Sequence, residues 1–180
     1  MTVPRTGTDV CRIFLTGFMG SGKTSVGRRL AARWGWRFVD MDRWVEARSG
    51  RSIPDLFAQG EVTFRRYEAE ALEALRSVHW VVVATGGGTV EIPGALERLR
   101  TWGVLLWLDV PWAEVLRRLD PAGRAERPLW SDPDEVYRRW VRRLPLYAQA
   151  HGRVGVEGPI EAWVDAVERL LRGVALCCTP

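Results

Sequence analysis

The stretch Gly17-Phe-Met-Gly-Ser-Gly-Lys23-Thr24 matches the pattern G-x-x-x-x-G-K-[ST] at every specified position. Before it, residues 12–15 are typical of a short buried strand, and after it apolar residues spaced four apart predict a helix. Glycines let the backbone curl so that its N–H groups point at phosphate oxygens, and the helix start adds its positive end. The stretch therefore predicts a phosphate-binding loop between a strand and a helix.

Lys23 is the only lysine of the 180 residues, and it occupies the one position where the pattern requires lysine. It can reach the β- and γ-phosphates of ATP, and the hydroxyl of Thr24 can bind Mg²⁺. A glycine-rich turn that matches by chance is the alternative, which the strand–loop–helix context disfavours. The predicted nucleotide-binding set consists of these two residues with Gly20, Ser21, Gly22 and Ser25.

Apolar segments alternate with helical patterns along the whole chain. Residues 80–84 and 104–108 are unbroken apolar runs, which is typical of parallel strands covered on both faces. Further strands are predicted at 12–15, 38–39 and 153–156. This alternation predicts one domain, residues 1–180, with a P-loop NTPase-type three-layer α/β/α sandwich around a central, mainly parallel five-stranded sheet.

Composition limits the classes of partner. The net charge is +4, but the basic residues are scattered through predicted helices, so we expect small anionic ligands and no nucleic acid. No apolar run is long enough to cross a bilayer and no signal peptide is evident, so we expect a cytoplasmic protein. We also expect a monomer. Cys11, Cys177 and Cys178 lack the spacing of a disulfide framework or a metal site.

Asp40 and Asp42 follow the second predicted strand, at the edge where open parallel sheets bind ligands. Carboxylates there can hold Mg²⁺ through water or accept a proton from an alcohol. The alternative is that Asp42 caps a helix beginning at Arg43.

Arg65 borders the apolar stripe of a helix predicted over residues 61–76. Glu61 and Glu68 lie about one turn away on the same side, whereas Arg66 turns away from it. Arg65 could therefore be held at a pocket by two carboxylates, or it could be a helix-surface ion pair.

Arg143 borders the stripe of a second helix, predicted over residues 134–147, whereas Arg138 and Arg142 are predicted to point to the other side. Its guanidinium fork suits a substrate carboxylate; the alternative is a stem that covers apolar surface. The residues predicted to face inward are Val136, Tyr137, Trp140, Val141 and Leu144.

Three consecutive glycines and a loop arginine are two further candidate features. Gly86, Gly87 and Gly88 cost chain entropy, so they indicate a ligand lying against bare backbone, although a tight turn is the alternative. Arg127 lies in the Pro- and Gly-rich segment 120–133. It could close over the phosphates as a lid residue, or be a solvated loop arginine.

These pieces together resemble the shikimate kinase family over nearly the whole chain. The resemblance comprises the phosphate-binding loop, the D-x-D of Asp40 and Asp42, G-E-x-x-F-R-x-x-E at 60–68, A-T-G-G-G at 84–88, R-P-L at 127–129 and R-x-P-L-Y at 143–147. Trp130 departs from it, because the family usually has a small aliphatic residue after R-P-L.

The resemblance implies transfer of the ATP γ-phosphoryl group to the 3-hydroxyl of shikimate, which gives 3-phosphoshikimate for aromatic amino acid biosynthesis. It implies that Arg65 and Arg143 hold the shikimate carboxylate and that residues 86–88 line the pocket. The implied catalytic residues are Lys23, Asp42 and Arg127.

On the nucleotide side, the resemblance implies that Thr24 ligates Mg²⁺, that Asp40 supports the ion through water and that Arg118 lies near adenine. Three alternatives stay open: a related kinase of another carboxylated polyol such as gluconate, a non-catalytic ATP-binding protein, and a nucleic-acid-binding ATPase. The presence of Lys23, Asp42 and Arg127 argues against the second, and the third predicts salt-sensitive binding to DNA or RNA.

Overall fold

A sheet of five parallel strands forms the centre of the structure, a computed structural model that describes residues 12–118, 132–155 and 157–172. Every neighbouring pair is parallel, in the order β2-β3-β1-β4-β5, which confirms the predicted sheet. The strands are β1 (Arg12–Thr16), β2 (Arg37–Asp40), β3 (Val81–Ala84), β4 (Val104–Asp109) and β5 (Gly152–Gly155).

The described residues contain eight α-helices, and each covers one of the two sheet faces. Short 3₁₀ turns follow α4 and β3, at Leu75–Ser77 and Thr89–Glu91. The helices are α1 (Lys23–Trp34), α2 (Met41–Ser49), α3 (Ile53–Ala58), α4 (Glu61–Ala74), α5 (Ala95–Trp102), α6 (Trp112–Arg118), α7 (Pro133–Tyr147) and α8 (Ile160–Arg172).

Successive strand residues enter two different cores, because side chains alternate between the faces of a sheet. Ile13 and Leu15 of β1 pack with α1, α6, α7 and α8, whereas Phe14 packs with α2, α3, α4 and α5. Both faces are therefore buried, which explains why the central strands are apolar without interruption. The three-layer sandwich predicted from the sequence is confirmed.

The apolar pattern of helix α7 predicts its inward face only in part. Val136 is buried, and Trp140 and Leu144 pack against the core, as expected. Tyr137 and Val141 are each 44% exposed, although both were expected to face inward. The buried positions are Val136, Arg143 and Tyr147, which are spaced seven and four apart along one line of the helix. The pattern placed Arg143 only at the edge of the apolar stripe, because a charged residue does not contribute to such a stripe.

Several predicted features lie outside the described residues, namely Arg127, Trp130, most of the segment 120–133 and all three cysteines. One helix boundary also differs from the sequence prediction, because Pro93 is typical of the first turn of a helix. That helix, α5, begins instead at Ala95, after Gly94 in a left-handed conformation. In the described ranges, every helix is too short or too polar to span a membrane.

His151 links β4 to the start of β5 and must be neutral to do so. Its Nδ1 accepts a hydrogen bond from the backbone N–H of Leu105 at 3.0 Å, and its own backbone N–H donates to the Leu105 carbonyl at 2.8 Å. Burial, with a smaller contribution from the charge of Arg100, lowers the pKa of His151 below its ordinary value. The unfolded chain therefore takes up this proton at a higher pH than the folded chain does.

We expect acid to destabilise the fold through His151 at a pH where carboxylates are still ionised. Stability should fall as the pH drops through about 6.5, the ordinary pKa of histidine. In His151→Asn the amide oxygen can accept the same hydrogen bond but does not titrate. Between about pH 7.5 and 5.5 the Tm of the wild type should fall a few degrees more than that of the variant. Equal decreases, measured by circular dichroism, would contradict this role.

Candidate active site

Two cavities open where the strands end, and they share a wall. The larger cavity, of about 550 Å³, is bordered by α2, α3, α4 and the glycines after β3. The loop cavity, of about 480 Å³, lies over the loop between β1 and α1. Thr24, Asp40, Asp42 and Gly87 line both. A group bound in one cavity can therefore meet a group bound in the other at these residues.

The loop between β1 and α1 has the turn that the glycine pattern predicts. Gly22 precedes α1 with φ 87°, a left-handed conformation that favours glycine. The Lys23 ammonium donates to the carbonyls of Gly17 and Phe18 at 2.8 and 2.9 Å and lines the loop cavity.

The other predicted nucleotide-binding residues divide into two groups. Gly20, Gly22, Thr24 and Ser25 line the loop cavity together with Lys23. Ser21 does not, because it is buried inside the turn, where its N–H donates to the Phe18 carbonyl and its hydroxyl lies 3.3 Å from the Lys23 nitrogen. Ser21 therefore shapes the loop in this structure.

Asp40 joins the loop to the start of α2. Its Oδ2 accepts a hydrogen bond from the Thr24 hydroxyl at 2.6 Å, and its Oδ1 accepts from the backbone N–H of Asp42 at 3.1 Å. Asp40 is thus the N-cap of α2, and the alternative in which Asp42 caps a helix beginning at Arg43 is wrong. The cap places Asp42 in the first turn, where it faces both cavities.

The pair of Thr24 and Asp40 has the chemistry that Mg²⁺ requires. Mg²⁺ prefers oxygen ligands and usually takes one or two from the protein, with phosphates and water completing its shell. A hydroxyl and a carboxylate in contact, in the cavity that Lys23 also lines, fit that pattern. The part of the chain that the structure describes holds no cluster of three or more His, Cys, Asp or Glu suited to a metal ion.

Arg65 is held between two carboxylates, as the helical spacing predicts. Its Nε and Nη2 donate to Glu61 at 3.1 and 2.7 Å, and its Nη1 donates to Glu68 at 2.7 Å. Burial alone would lower the pKa of Arg65, but the charges and hydrogen bonds of the two glutamates outweigh it and raise the pKa. Arg65 is thus a fixed cation on the wall of the larger cavity.

Two of the three glycines after β3 make room for this ion pair. A Cβ on Gly86 would overlap the Glu68 carboxylate, and a Cβ on Gly88 would overlap the Arg65 guanidinium. A Cβ on Gly87 would meet nothing closer than 3.5 Å. The sequence predicted that a ligand lies against bare backbone here, and this interpretation applies best to Gly87. Gly86 and Gly88 make room for side chains of the protein itself.

Arg143 is a buried charge that also lines the larger cavity, with only 2% of its surface exposed. Its Nε and Nη2 donate to Glu91 Oε2 at 2.9 and 2.6 Å. One turn later, the Tyr147 hydroxyl donates to the Gly87 carbonyl at 2.6 Å, and burial raises the pKa of Tyr147 so that it stays a donor. These bonds fasten α7 to the glycine segment.

Arg118 lies at the far end of the loop cavity. Its guanidinium stacks 4.5 Å from the centre of the Trp163 ring, and its Nη1 donates to the Gly20 carbonyl at 3.2 Å. Hydrogen bonds from Arg117 and Arg118 lower the pKa of Glu114 to about 2, so this carboxylate stays ionised and binds Arg118 Nε at 2.6 Å. The arginine and the tryptophan form a flat, cationic surface that suits a nucleotide base.

A family model described as shikimate kinase matches residues 19–164, which include both cavities' central residues. The chain belongs to the shikimate kinase family. It is 43% identical over 166 residues to a shikimate kinase of Synechococcus sp. (strain RCC307), covering 89% of this chain and 82% of the relative. It is 46% identical over 147 residues to a shikimate kinase of Symbiobacterium thermophilum, covering 79% and 84%.

Solved structures agree with this membership. Shikimate kinase from Acinetobacter baumannii in complex with shikimate has a TM-score of 0.85 and 33% identity, over 93% of this chain and 96% of that one. A gluconokinase from Sinorhizobium meliloti 1021 has a TM-score of 0.62 at 19% identity, over 93% and 94%, and shares the fold alone. As a shikimate kinase family member, the chain is an ATP-dependent phosphotransferase with an alcohol acceptor, which confirms the predicted enzyme class.

Two residues of this shikimate kinase family member contact the site but were not singled out from the sequence. Trp163 supports Arg118, and Glu91 binds Arg143. Neither has a local signal, because one is among ten tryptophans and the other is an ordinary acidic residue after a turn. Arg142, predicted to point away from the site, binds the same Glu91 as Arg143.

Proposed function

We propose that this chain phosphorylates shikimate, transferring the γ-phosphoryl group of ATP to the 3-hydroxyl and giving 3-phosphoshikimate for aromatic amino acid biosynthesis. The observation that carries the proposal is the meeting of the two cavities at Asp42. The loop cavity has the residues for a nucleotide, and the larger cavity has two arginines for a carboxylated acceptor. A phosphoryl group leaving the first would enter the second beside a carboxylate.

The acceptor would be held by charge at one end and by apolar contact along its ring. Arg65 and Arg143 face the larger cavity and would bind the shikimate carboxylate, since guanidinium groups pair well with carboxylates. Phe57 and Phe64 stack at 4.6 Å between ring centres and supply an apolar wall for a six-membered carbon ring. Gly87 leaves room for the acceptor to lie against backbone.

The chemistry would combine proton removal with charge stabilisation. Asp42 would accept the proton of the acceptor hydroxyl as its oxygen bonds to the γ-phosphorus and the bond from the γ-phosphorus to the β,γ-bridging oxygen breaks, releasing ADP. Lys23 would stabilise negative charge on the β- and γ-phosphates. Arg127, outside the described residues, would close over the phosphates with the segment 120–133 and exclude water, as the family resemblance implies.

Thr24 would ligate Mg²⁺ directly and Asp40 would support it through water, as their contact suggests. When bound, Mg²⁺ neutralises phosphate charge that develops during transfer. Arg118 would lie against adenine, with Trp163 behind it. The hydrogen bond from Thr24 to Asp40 would then hold the hydroxyl and the carboxylate in place before the nucleotide arrives.

We further propose that residues 1–180 act as a single domain and as a cytoplasmic monomer with no nucleic-acid partner. Both cavities are lined by residues of one chain, so no second copy is needed to complete them. Much of the positive charge is paired on the surface, as in the ion pairs of Arg29 with Glu161 and of Arg33 with Asp165. Such pairs leave little unbalanced charge for a polyanion.

We expect shikimate to stimulate ADP release at least about a hundredfold over ATP and Mg²⁺ alone, because a site built for a carboxylated ring discriminates strongly against water and against open-chain acids. A coupled assay measures the rate, with gluconate as the control acceptor. Phosphorus NMR of the product should show a phosphate monoester coupled to the proton at carbon 3. Stimulation by gluconate but not by shikimate would sink the acceptor assignment.

A further inference from the structure

Glu91 bridges two neighbouring arginines of α7. Its Oε2 accepts both hydrogen bonds from Arg143, and its Oε1 accepts from Nε and Nη2 of Arg142 at 3.0 and 2.8 Å. Glu91 ends the short 3₁₀ turn Thr89–Glu91, which follows the three glycines. The segment that lines the larger cavity thus also supplies the counter-ion of Arg143.

The bridge uses one side of the Arg143 guanidinium. Glu91 occupies Nε and Nη2, while Nη1 lies 3.7 Å from where a Cβ would stand on Gly87, a residue that lines the larger cavity. Arg143 lines the larger cavity, whereas Glu91 does not. An acceptor carboxylate can therefore approach Arg143 without displacing Glu91.

The local charges make Glu91 necessary for this arrangement. Arg139 lies on the same helix and is subject to the positive charges of Arg142 and Arg143 and to the negative charge of Glu91. The guanidinium of Arg143 is nearly buried. Burial alone would raise the pKa of Glu91, but hydrogen bonds and charge from Arg143 and Arg142 outweigh it, so the pKa is lowered and Glu91 stays ionised. A buried arginine without its carboxylate would move towards solvent or another acid.

We propose that Glu91 is a positioning residue that fixes the orientation of Arg143 and presents its Nη1 side to the carboxylate of the acceptor. The inference rests on the proposed function, since it takes a carboxylated acceptor as the group that Arg143 binds. The same 3₁₀ turn also contacts the counter-ion of Arg65, because the Thr89 hydroxyl donates to Glu68 at 2.6 Å and Glu68 holds Arg65. One three-residue turn therefore orients both arginines.

The test is Glu91→Gln in the full chain, compared with the wild type by initial rates. An amide keeps the size but offers an acceptor to only one of the two arginines and turns its NH₂ group to the other. We expect the KM for shikimate to rise about tenfold or more, as for a lost hydrogen bond to a charged group. The kcat should stay within about threefold and the KM for ATP should not change, because the lost interaction is remote from the reacting hydroxyl.

The matched control is Glu97→Gln, which removes one exposed carboxylate from α5 and should leave all three constants at wild-type values. General destabilisation would lower the active fraction, and hence kcat, without raising the KM for shikimate. A KM for Glu91→Gln at or below that of the wild type would overturn the inference, because Glu91 would then be dispensable or a competitor of the acceptor.

Two further measurements keep the outcome decisive. If Glu91→Gln does not fold, Glu91→Asp, which keeps the charge but shortens the arm, must show the same selective rise in the KM for shikimate. If the wild type neither binds shikimate in calorimetry nor phosphorylates it, the proposed function fails and takes this inference with it. If the wild type phosphorylates shikimate and the Glu91 variant has the same KM for shikimate, the positioning role of Glu91 is overturned while the proposed function stands.

Discussion

Replacing Asp42 with asparagine is expected to lower the kcat of shikimate-dependent ADP release by about 10²–10⁴-fold, the range for loss of a general base. Asp42 stands in the first turn of α2, where the two cavities meet. Asparagine keeps the shape and can still orient a hydroxyl, but it cannot take up the proton. The KM for ATP should change little, because Lys23, Thr24 and Arg118 in the loop cavity are untouched.

The control for Asp42→Asn is Asp134→Asn, which makes the same change in the first turn of α7 and away from both cavities. It should leave kcat unchanged. Calorimetric binding of ATP and of shikimate to both variants separates chemistry from binding. A kcat for Asp42→Asn within about tenfold of the wild type would mean that Asp42 orients the hydroxyl and that water takes the proton.

The fold could be predicted because its strongest signals are local and physical. Strands β3 and β4 are covered on both faces, so they are apolar at nearly every position and easy to recognise. The loop before α1 ends in Gly22, where a left-handed conformation is needed, and α1 begins with Lys23. Each of these features depends on a few residues that are close in sequence, so it can be recognised without knowing the tertiary structure.

The site was predicted less completely, because the residues that hold its cavity-lining side chains in place are distant in sequence. Asp40 and Asp42 were placed at the correct strand end, but only the structure shows which of them caps α2. The sequence suggested that the three glycines make room for a ligand. In the structure, Gly86 and Gly88 instead make room for Glu68 and Arg65 of α4. Helical spacing cannot reveal contacts between segments about twenty residues apart.

Helix α7 shows how a functional site overrides a hydrophobic pattern. The pattern favours Tyr137 and Val141 as inward residues, yet the chain leaves them exposed and buries Arg143. Burying a charge costs several kcal/mol unless it is paired, and Glu91 provides the pair from a distant turn. A local conflict of this kind is expected at a site that serves ligand binding.

Lys23→Ala is expected to lower kcat by about 10³-fold, comparable to removal of one preorganised donor at a developing charge. The Lys23 ammonium lies over the loop carbonyls of Gly17 and Phe18, within the cavity proposed for the phosphates. Alanine removes the charge that would follow the γ-phosphoryl group, so transfer should slow more than ATP binding weakens. Lys23→Arg should recover only part of the rate, because a rigid fork cannot replace a compact ammonium.

The chain offers an independent test, since Lys23 is its only lysine. An amine-selective acylating reagent can modify only Lys23 and the α-amino group, and peptide mass spectrometry distinguishes the two. We expect ATP with Mg²⁺ to protect Lys23 from acylation while the α-amino group reacts at an unchanged rate. Shikimate alone should not protect, because Lys23 lines the loop cavity and not the larger one. Full reactivity of Lys23 at saturating ATP would remove it from the phosphate site, whatever the rate of Lys23→Ala.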